Sequence, residues 1–177
     1  MSEEIVIRQG APTLAGIKTG SMFPYPYHDR RQLLDDVRAF NRRYAAKGLC
    51  LLPLRYSNGR ALLYLYRPAE LQRDLQNQLA AQLLTRAGYC SGSSACCVAQ
   101  LIRRMRESPE FPHEVGLFLS YPPEDVQGFI DNHAANFKCK GMWKVYGDAE
   151  QAQETFRKYK ECTQTYCRLW QSGSGMD

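Results

Sequence analysis

Nowhere in the 177 residues does an apolar run reach the length that a bilayer core demands, so no helical membrane span is expected. The opening MSEEIVIRQG is acidic and short, unlike a basic and apolar export signal. Both absences lead to the expectation of a cytoplasmic protein. Strong charge of one sign is missing too. The net charge of +5 comes from scattered pairs, Arg30-Arg31, Arg42-Arg43 and Arg103-Arg104, each beside or within a helical pattern. A nucleic-acid or protein-interaction adaptor would need those pairs to converge on one face. No internal repeat occurs, and no composition shift marks a boundary. One globular domain is therefore expected over residues 1–170, with a frayed tail over 171–177.

Cysteine, by contrast, is not scarce. The seven cysteines are odd in number and accompany no export signal, in a chain long enough to bury a core. Reduced thiols are the expectation, rather than a disulfide framework.

Periodicity gives a coarse order of elements. A strand is expected at residues 4–8, followed by an ordered loop, APTLAGIKTGSMFPYPYHD, rich in Gly, Pro and aromatics. Leu33, Val37, Phe40 and Tyr44 recur at helical spacing over 29–46, and Gly48 is placed to end that helix. Two apolar runs, 49–56 and 60–67, flank Asn58-Gly59, a hairpin signal, with Pro53 marking the first as an edge or bulged strand. Pro68 opens a helix that breaks near Asn77, and Ser93 or Ser94 caps another. Residues 114–120 read as a central strand apolar on both faces, and a helix follows from Pro122 or Pro123. A strand over 137–146 and a last helix capped by Asp148 complete the chain. The fold class expected is mixed α+β (α/β), with one mixed sheet of about five strands packed by five or six helices.

The segment HEVGLFLSYPPEDVQGFI holds the first candidate chemistry. A zinc-protease helix needs a second His where Leu117 stands, so His113-Glu114 fails as that motif. A lone His at a strand mouth is ordinarily a polar edge residue. As catalytic candidates, His113 and Glu114 would need a nucleophile or substrate within hydrogen-bond reach. At the other end, Tyr121 borders the crevice that forms beyond a strand's carboxyl end. Glu124 and Asp125 already complement the next helix dipole, which disfavours a phosphate there.

The loop Gly16-Ile-Lys-Thr-Gly-Ser21 carries a cation, a hydroxyl and two glycines, the parts of an anion cradle. It lacks the Gly-Lys-Ser/Thr order of a Walker loop. The bland alternative is a turn with an exposed lysine. Lys18, Ser21, Phe23, Tyr25 and Tyr121 are the ligand-binding candidates; Phe23, Tyr25 and Tyr27 offer either a stacking wall for a flat ligand such as a flavin or a lid packed down on the core.

Cys139, Cys162 and Cys167 are the metal candidates, Cys139 doubling as a candidate nucleophile. Cys139 should share a strand face with Trp143 and Val145. Cys162 and Cys167 point about 140° apart on a regular helix, a poor chelate. Zinc or iron on Cys139 and one helical cysteine, with His113 or His133, competes with simple burial in the core. Cys96 and Cys97, near a helix start, could be reactive, with packing as the default.

Four stretches carry a resemblance: Ala11-Pro-Thr-Leu-Ala-Gly-Ile-Lys18, the 113–130 segment, Trp143-Lys-Val-Tyr-Gly-Asp148, and Lys160-Glu-Cys-Thr-Gln-Thr-Tyr-Cys-Arg-Leu-Trp170. Along nearly its whole length the chain resembles the bacterial family called domain of unknown function 3793. The resemblance implies an origin mainly among anaerobic Firmicutes and a flavodoxin-like redox protein as partner. It implies no activity, because the family has none assigned. The family pattern has a Cys just before Ala11 and another at Met142. Gly10 and Met142 stand there in this chain, which weakens any metal or redox site built on those thiols.

Three functional expectations follow. The first is a non-enzymatic or accessory module that binds a small-molecule ligand or a redox partner between the 16–27 loop and the 121–123 turn. The second is a thiol- or metal-dependent enzyme using Cys139, Cys162 or Cys167 with His113. The third is the adaptor built on the arginine pairs. Flavin and iron are the cofactors in question.

Overall fold

The hairpin signal at Asn58-Gly59 organises the molecule. In the computed structural model, which describes residues 1–90 and 92–173, both residues adopt the left-handed conformation, with φ of +47° and +72°. That is the geometry a two-residue hairpin turn needs. The strands it joins are β2 (Cys50–Ser57) and β3 (Arg60–Tyr66), and β2 carries a register shift between Pro53 and Arg55. A third strand, β1 (Gly20–Pro26), pairs antiparallel with β3 from the other side, so the order is β1-β3-β2.

β1 falls where a loop was expected, and its two prolines obscured it. The Tyr27 N–H donates to the Gly59 carbonyl at 3.0 Å, which fixes the ladder parity. Pro24 and Pro26 then turn their nitrogens to the open edge, where no donor is required.

β3 is buried on both faces. Ala61, Leu63 and Leu65 pack under α1 (Glu3–Leu14) and α2 (Arg30–Tyr44), against Val6, Leu33, Val37 and Phe40. Leu54, Tyr64 and Tyr66 face the other layer: α3 (Pro68–Leu75), α4 (Gln78–Arg86), α5 (Ser94–Glu107), the 3-10 segment His113–Leu119 and α6 (Pro123–Asp131). Each fully buried leucine here contributes on the order of 2 kcal/mol.

Helix ends follow their caps. Asp29, Asn77, Ser93 and Asp148 each accept a backbone N–H at the helix they open, and Pro68 takes the first position of α3. The last helix, α7 (Ala149–Gln171), packs along α1. Its helical end covers the start of the stretch expected to fray; residues 174–177 lie outside the described residues.

Three expected strands are corrected. Residues 4–8 are helical: Ser2 accepts the Ile5 N–H, and Glu3 and Glu4 sit in the first turn, where they suit the dipole. β-branched Ile5, Val6 and Ile7 imitate a strand, but burial of Val6, Ile7, Gly10 and Ala11 follows the helical period. Residues 114–119 belong to the 3-10 segment, which Ser120 ends at φ +62°. A short run apolar on both faces does not separate a strand from a buried helical turn. Residues 137–146 reverse on themselves: β4 (Cys139–Lys140) pairs antiparallel with β5 (Lys144–Val145) in a separate two-stranded ribbon. Cys139 thus lies directly across from Val145 instead of along one strand with it. The fold is mixed α+β, but among the described residues the five strands form sheets of three and two, and every pairing is antiparallel. Among the described residues no helix is long and apolar enough to cross a membrane.

The cysteine expectation also changes. Cys90 and Cys96 are joined in a disulfide, because the Ser93 cap turns the chain back and brings their Cα atoms to 6.4 Å. Cys50, Cys97, Cys139, Cys162 and Cys167 are free thiols.

One buried carboxylate holds the ribbon to α6. Asp125 accepts from the Trp143 indole Nε1, the Tyr146 N–H and the Gly147 N–H, each at 2.7 Å. Asp125→Ala leaves these donors unsatisfied and should cost about 3 kcal/mol in urea denaturation, with Asp125→Asn recovering part through its amide oxygen.

Candidate functional site

The α1–β1 connection is shaped by the end of its helix. Pro12 leaves its carbonyl to accept the N–H groups of Ile17 and Lys18, at 3.0 and 3.1 Å. Arg67 satisfies two more carbonyls at that end, donating from Nε to Thr13 at 2.8 Å and from Nη2 to Leu14 at 2.6 Å. The turn is thereby rigid, and it presents Lys18 and Thr19 sideways.

Thr19 links this turn to two other elements. Its N–H donates to the Ser120 Oγ at 2.6 Å, and its hydroxyl donates to Asp74 Oδ2, also at 2.6 Å. Next to it, Gly20 meets the 3-10 segment closely. A Cβ there would lie 2.4 Å from the Phe118 carbonyl oxygen and 2.7 Å from the Tyr64 ring. That carbonyl accepts the Tyr64 hydroxyl at 2.7 Å.

Between residues 16–19 and 120–123 lies a cleft of about 410 Å³, floored by Leu117 and Ala80 and walled by Glu70, Asp74 and Asn77. The volume is in the range of small-molecule sites. The Lys18 ammonium lies 6.0 Å from the centre of the Tyr121 ring and 5.7 Å from that of Tyr159. Among the described residues it forms no hydrogen bond or ion pair. Burial without a counter-ion disfavours its charge and lowers its pKa from 10.5 to about 8.

On the acidic wall, Asp74 is perturbed in the complementary sense. Burial raises the Asp74 pKa, with the Thr19 hydroxyl opposing, the Glu70 charge adding and the Arg73 charge subtracting. Glu70 is itself bound to Arg73. Burial also raises the Tyr121 phenol, and burial with the Asp74 and Tyr121 charges pushes Tyr159 up to about 12.

Of the residues singled out in sequence, Lys18 and Tyr121 meet at this cleft. The other three lie elsewhere, because β1 turns them into the protein. Ser21 is buried and shares a hydrogen bond with the Thr13 hydroxyl at 2.9 Å. Phe23 is core under α1 and α2, and the Tyr25 hydroxyl accepts the Ser2 N–H at 2.6 Å.

His113 lines a separate apolar recess of about 270 Å³, its ring 5.7 Å from Phe129, with Tyr121 as the shared wall. Glu114 points into the protein, where it pairs with Arg104 Nη1 at 3.4 Å. Cys139 packs with Trp143 and Val145 on the ribbon, while Cys162 and Cys167 lie half-buried on α7. Among the described residues no three His, Cys, Asp or Glu side chains are grouped to hold a metal.

Sequence reading did not single out Thr19, Glu70, Asp74 or Ser120. A signal existed for two of them: Glu70 and Asp74 are like charges one turn apart on α3, an arrangement that weakens a helix.

Lys18→Met keeps the apolar stem and removes the charge. Because the folded pKa is lowered, the unfolded chain binds more protons between pH 8 and 10.5, and the lysine's penalty fades as pH rises through that window. The variant should be more stable than the parent below pH 8, and the difference should shrink toward pH 10.5. Urea denaturation midpoints across that range check both statements.

Neither the curated proteins nor the solved structures give a significant match to this chain. A family model does match, over residues 6–177, and its description is "Protein of unknown function (DUF3793)". With nearly its whole length matched, the chain belongs to that family.

Proposed function

We propose that this protein is an accessory module that binds a small molecule in the cleft between residues 16–19 and 120–123. The observation that carries this reading is the Lys18 ammonium, set against two aromatic rings at a cleft of about 410 Å³ with no ion-pair partner among the described residues. A desolvated and unpaired cation is a standing cost to the fold. A ligand that pairs with it recovers that free energy on binding. The walls are fixed by main-chain bonds at Ile17, Lys18 and Thr19, so little ordering accompanies ligand entry.

The thiol- or metal-dependent enzyme gains no support from the positions of its parts. His113 opens onto the apolar recess, and the free cysteines lie on the ribbon and on α7.

Native mass spectrometry of the protein isolated from its own cell extract should retain a small molecule. Hydrogen exchange should then be slower in the bound form at the amides of residues 17–19 and 120–121. A bound form whose exchange changes elsewhere and not at those amides contradicts the assignment of the cleft.

A further inference from the structure

The cleft presents two opposite charges that do not meet. Lys18 supplies the cation from the α1–β1 turn, and Asp74 supplies the anion from α3. Neither belongs to an ion pair among the described residues. Their separation has a mechanical cause. The Lys18 ammonium lies over the Tyr121 and Tyr159 rings, while Asp74 Oδ2 is held by the Thr19 hydroxyl at 2.6 Å. The neighbouring arginine of α3, Arg73, is engaged with Glu70. Asp74 Oδ1 is left without a hydrogen-bond donor among the described residues.

Two unlike charges held apart in one small cleft complement a molecule that bears both charges itself. A singly charged ligand would satisfy one group and leave the other desolvated, which costs free energy. Leu117, Ala80 and Pro122 form an apolar patch in a lining that also holds Glu70, Asn77 and Ser120, a mixed surface suited to a small side chain beside the two charged ends. The volume admits a molecule of amino-acid size and leaves no room for a folded partner.

We infer that the ligand is a free amino acid or a close amino-carboxylate relative, its carboxylate on Lys18 and its ammonium on Asp74. This rests on the small-ligand reading of the same cleft. The burial-driven shifts of Lys18 and Asp74, one down and one up, agree with it, since each group lacks the counter-charge the ligand brings.

Calorimetric titration of the full chain with each protein amino acid tests the inference. For the tightest binder, its analogue without the amine and its analogue without the carboxylate are then titrated. The full zwitterion should bind at least about tenfold more tightly than either analogue, because each analogue leaves one charged group unpaired.

Two variants assign the ends. Asp74→Asn keeps an acceptor for Thr19 and should abolish the advantage of the zwitterion over the amine-free acid. Lys18→Met keeps the stem and should abolish its advantage over the carboxylate-free amine. Thermal unfolding of both variants establishes that they are folded.

No binding by any amino acid overturns the inference, as does equal binding by an analogue. A uniform loss for all three ligand forms in a folded variant also overturns it, because it marks a merely structural role. If a neutral or singly charged molecule protects the cleft amides while zwitterions do not bind, the small-ligand reading stands and this inference falls. If no small molecule protects them, both fall.

Discussion

The hydrogen bond from the Tyr64 hydroxyl to the Phe118 carbonyl, 2.7 Å long and buried, joins the two halves on which the cleft depends. Tyr64 belongs to the central strand, and Phe118 belongs to the 3-10 segment that carries the chain to Ser120 and Tyr121. Gly20 makes the junction fit, since any side chain there would occupy the place of that carbonyl. One residue before Gly20 and two after Phe118, Thr19 and Ser120 close the same junction with a second hydrogen bond. The walls of the cleft are therefore neighbours of a buried contact, and their spacing is set by core packing more than by the loops themselves.

Around that junction the protein tolerates arrangements that a purely stable fold would avoid. An ammonium lies over two aromatic faces with no counter-ion among the described residues, and two carboxylates share one face of α3. Elsewhere buried charge is matched closely. Asp125 accepts three donors, and Glu114 pairs with Arg104. The contrast between satisfied charge in the interior and unsatisfied charge at the cleft is the physical ground for placing function there.

Local signals in the sequence reached much of this architecture. Asn58-Gly59 specified the hairpin, Pro53 its irregular edge strand, and Asp29, Pro68, Ser93 and Asp148 the helix starts, because each acts through its own backbone. Elements decided by distant packing were misread. Ile5, Val6 and Ile7 favour a strand by side-chain shape, yet they belong to a helix laid on the sheet. Phe118 lies in a 3-10 segment, and its carbonyl accepts a hydrogen bond from Tyr64, 54 residues away in sequence. At the site, Gly, Lys and the aromatics drew notice to residues 16–27, of which only 16–19 border the cleft. Asp74 left one mark in the spacing, its like charge one turn from Glu70, but its relation to Thr19 and Lys18 is three-dimensional and left none.

The central claim is that Lys18 is a desolvated cation awaiting a partner, and its own titration is the most direct measurement. With the lysine side chains labelled with carbon-13 at Cε and Lys18 assigned through the Lys18→Met variant, its resonance can be followed by NMR from pH 6 to 12. The account predicts a midpoint near pH 8, moving upward when a carboxylate-bearing ligand occupies the cleft. A midpoint at the ordinary 10.5, unmoved by any ligand, would contradict it.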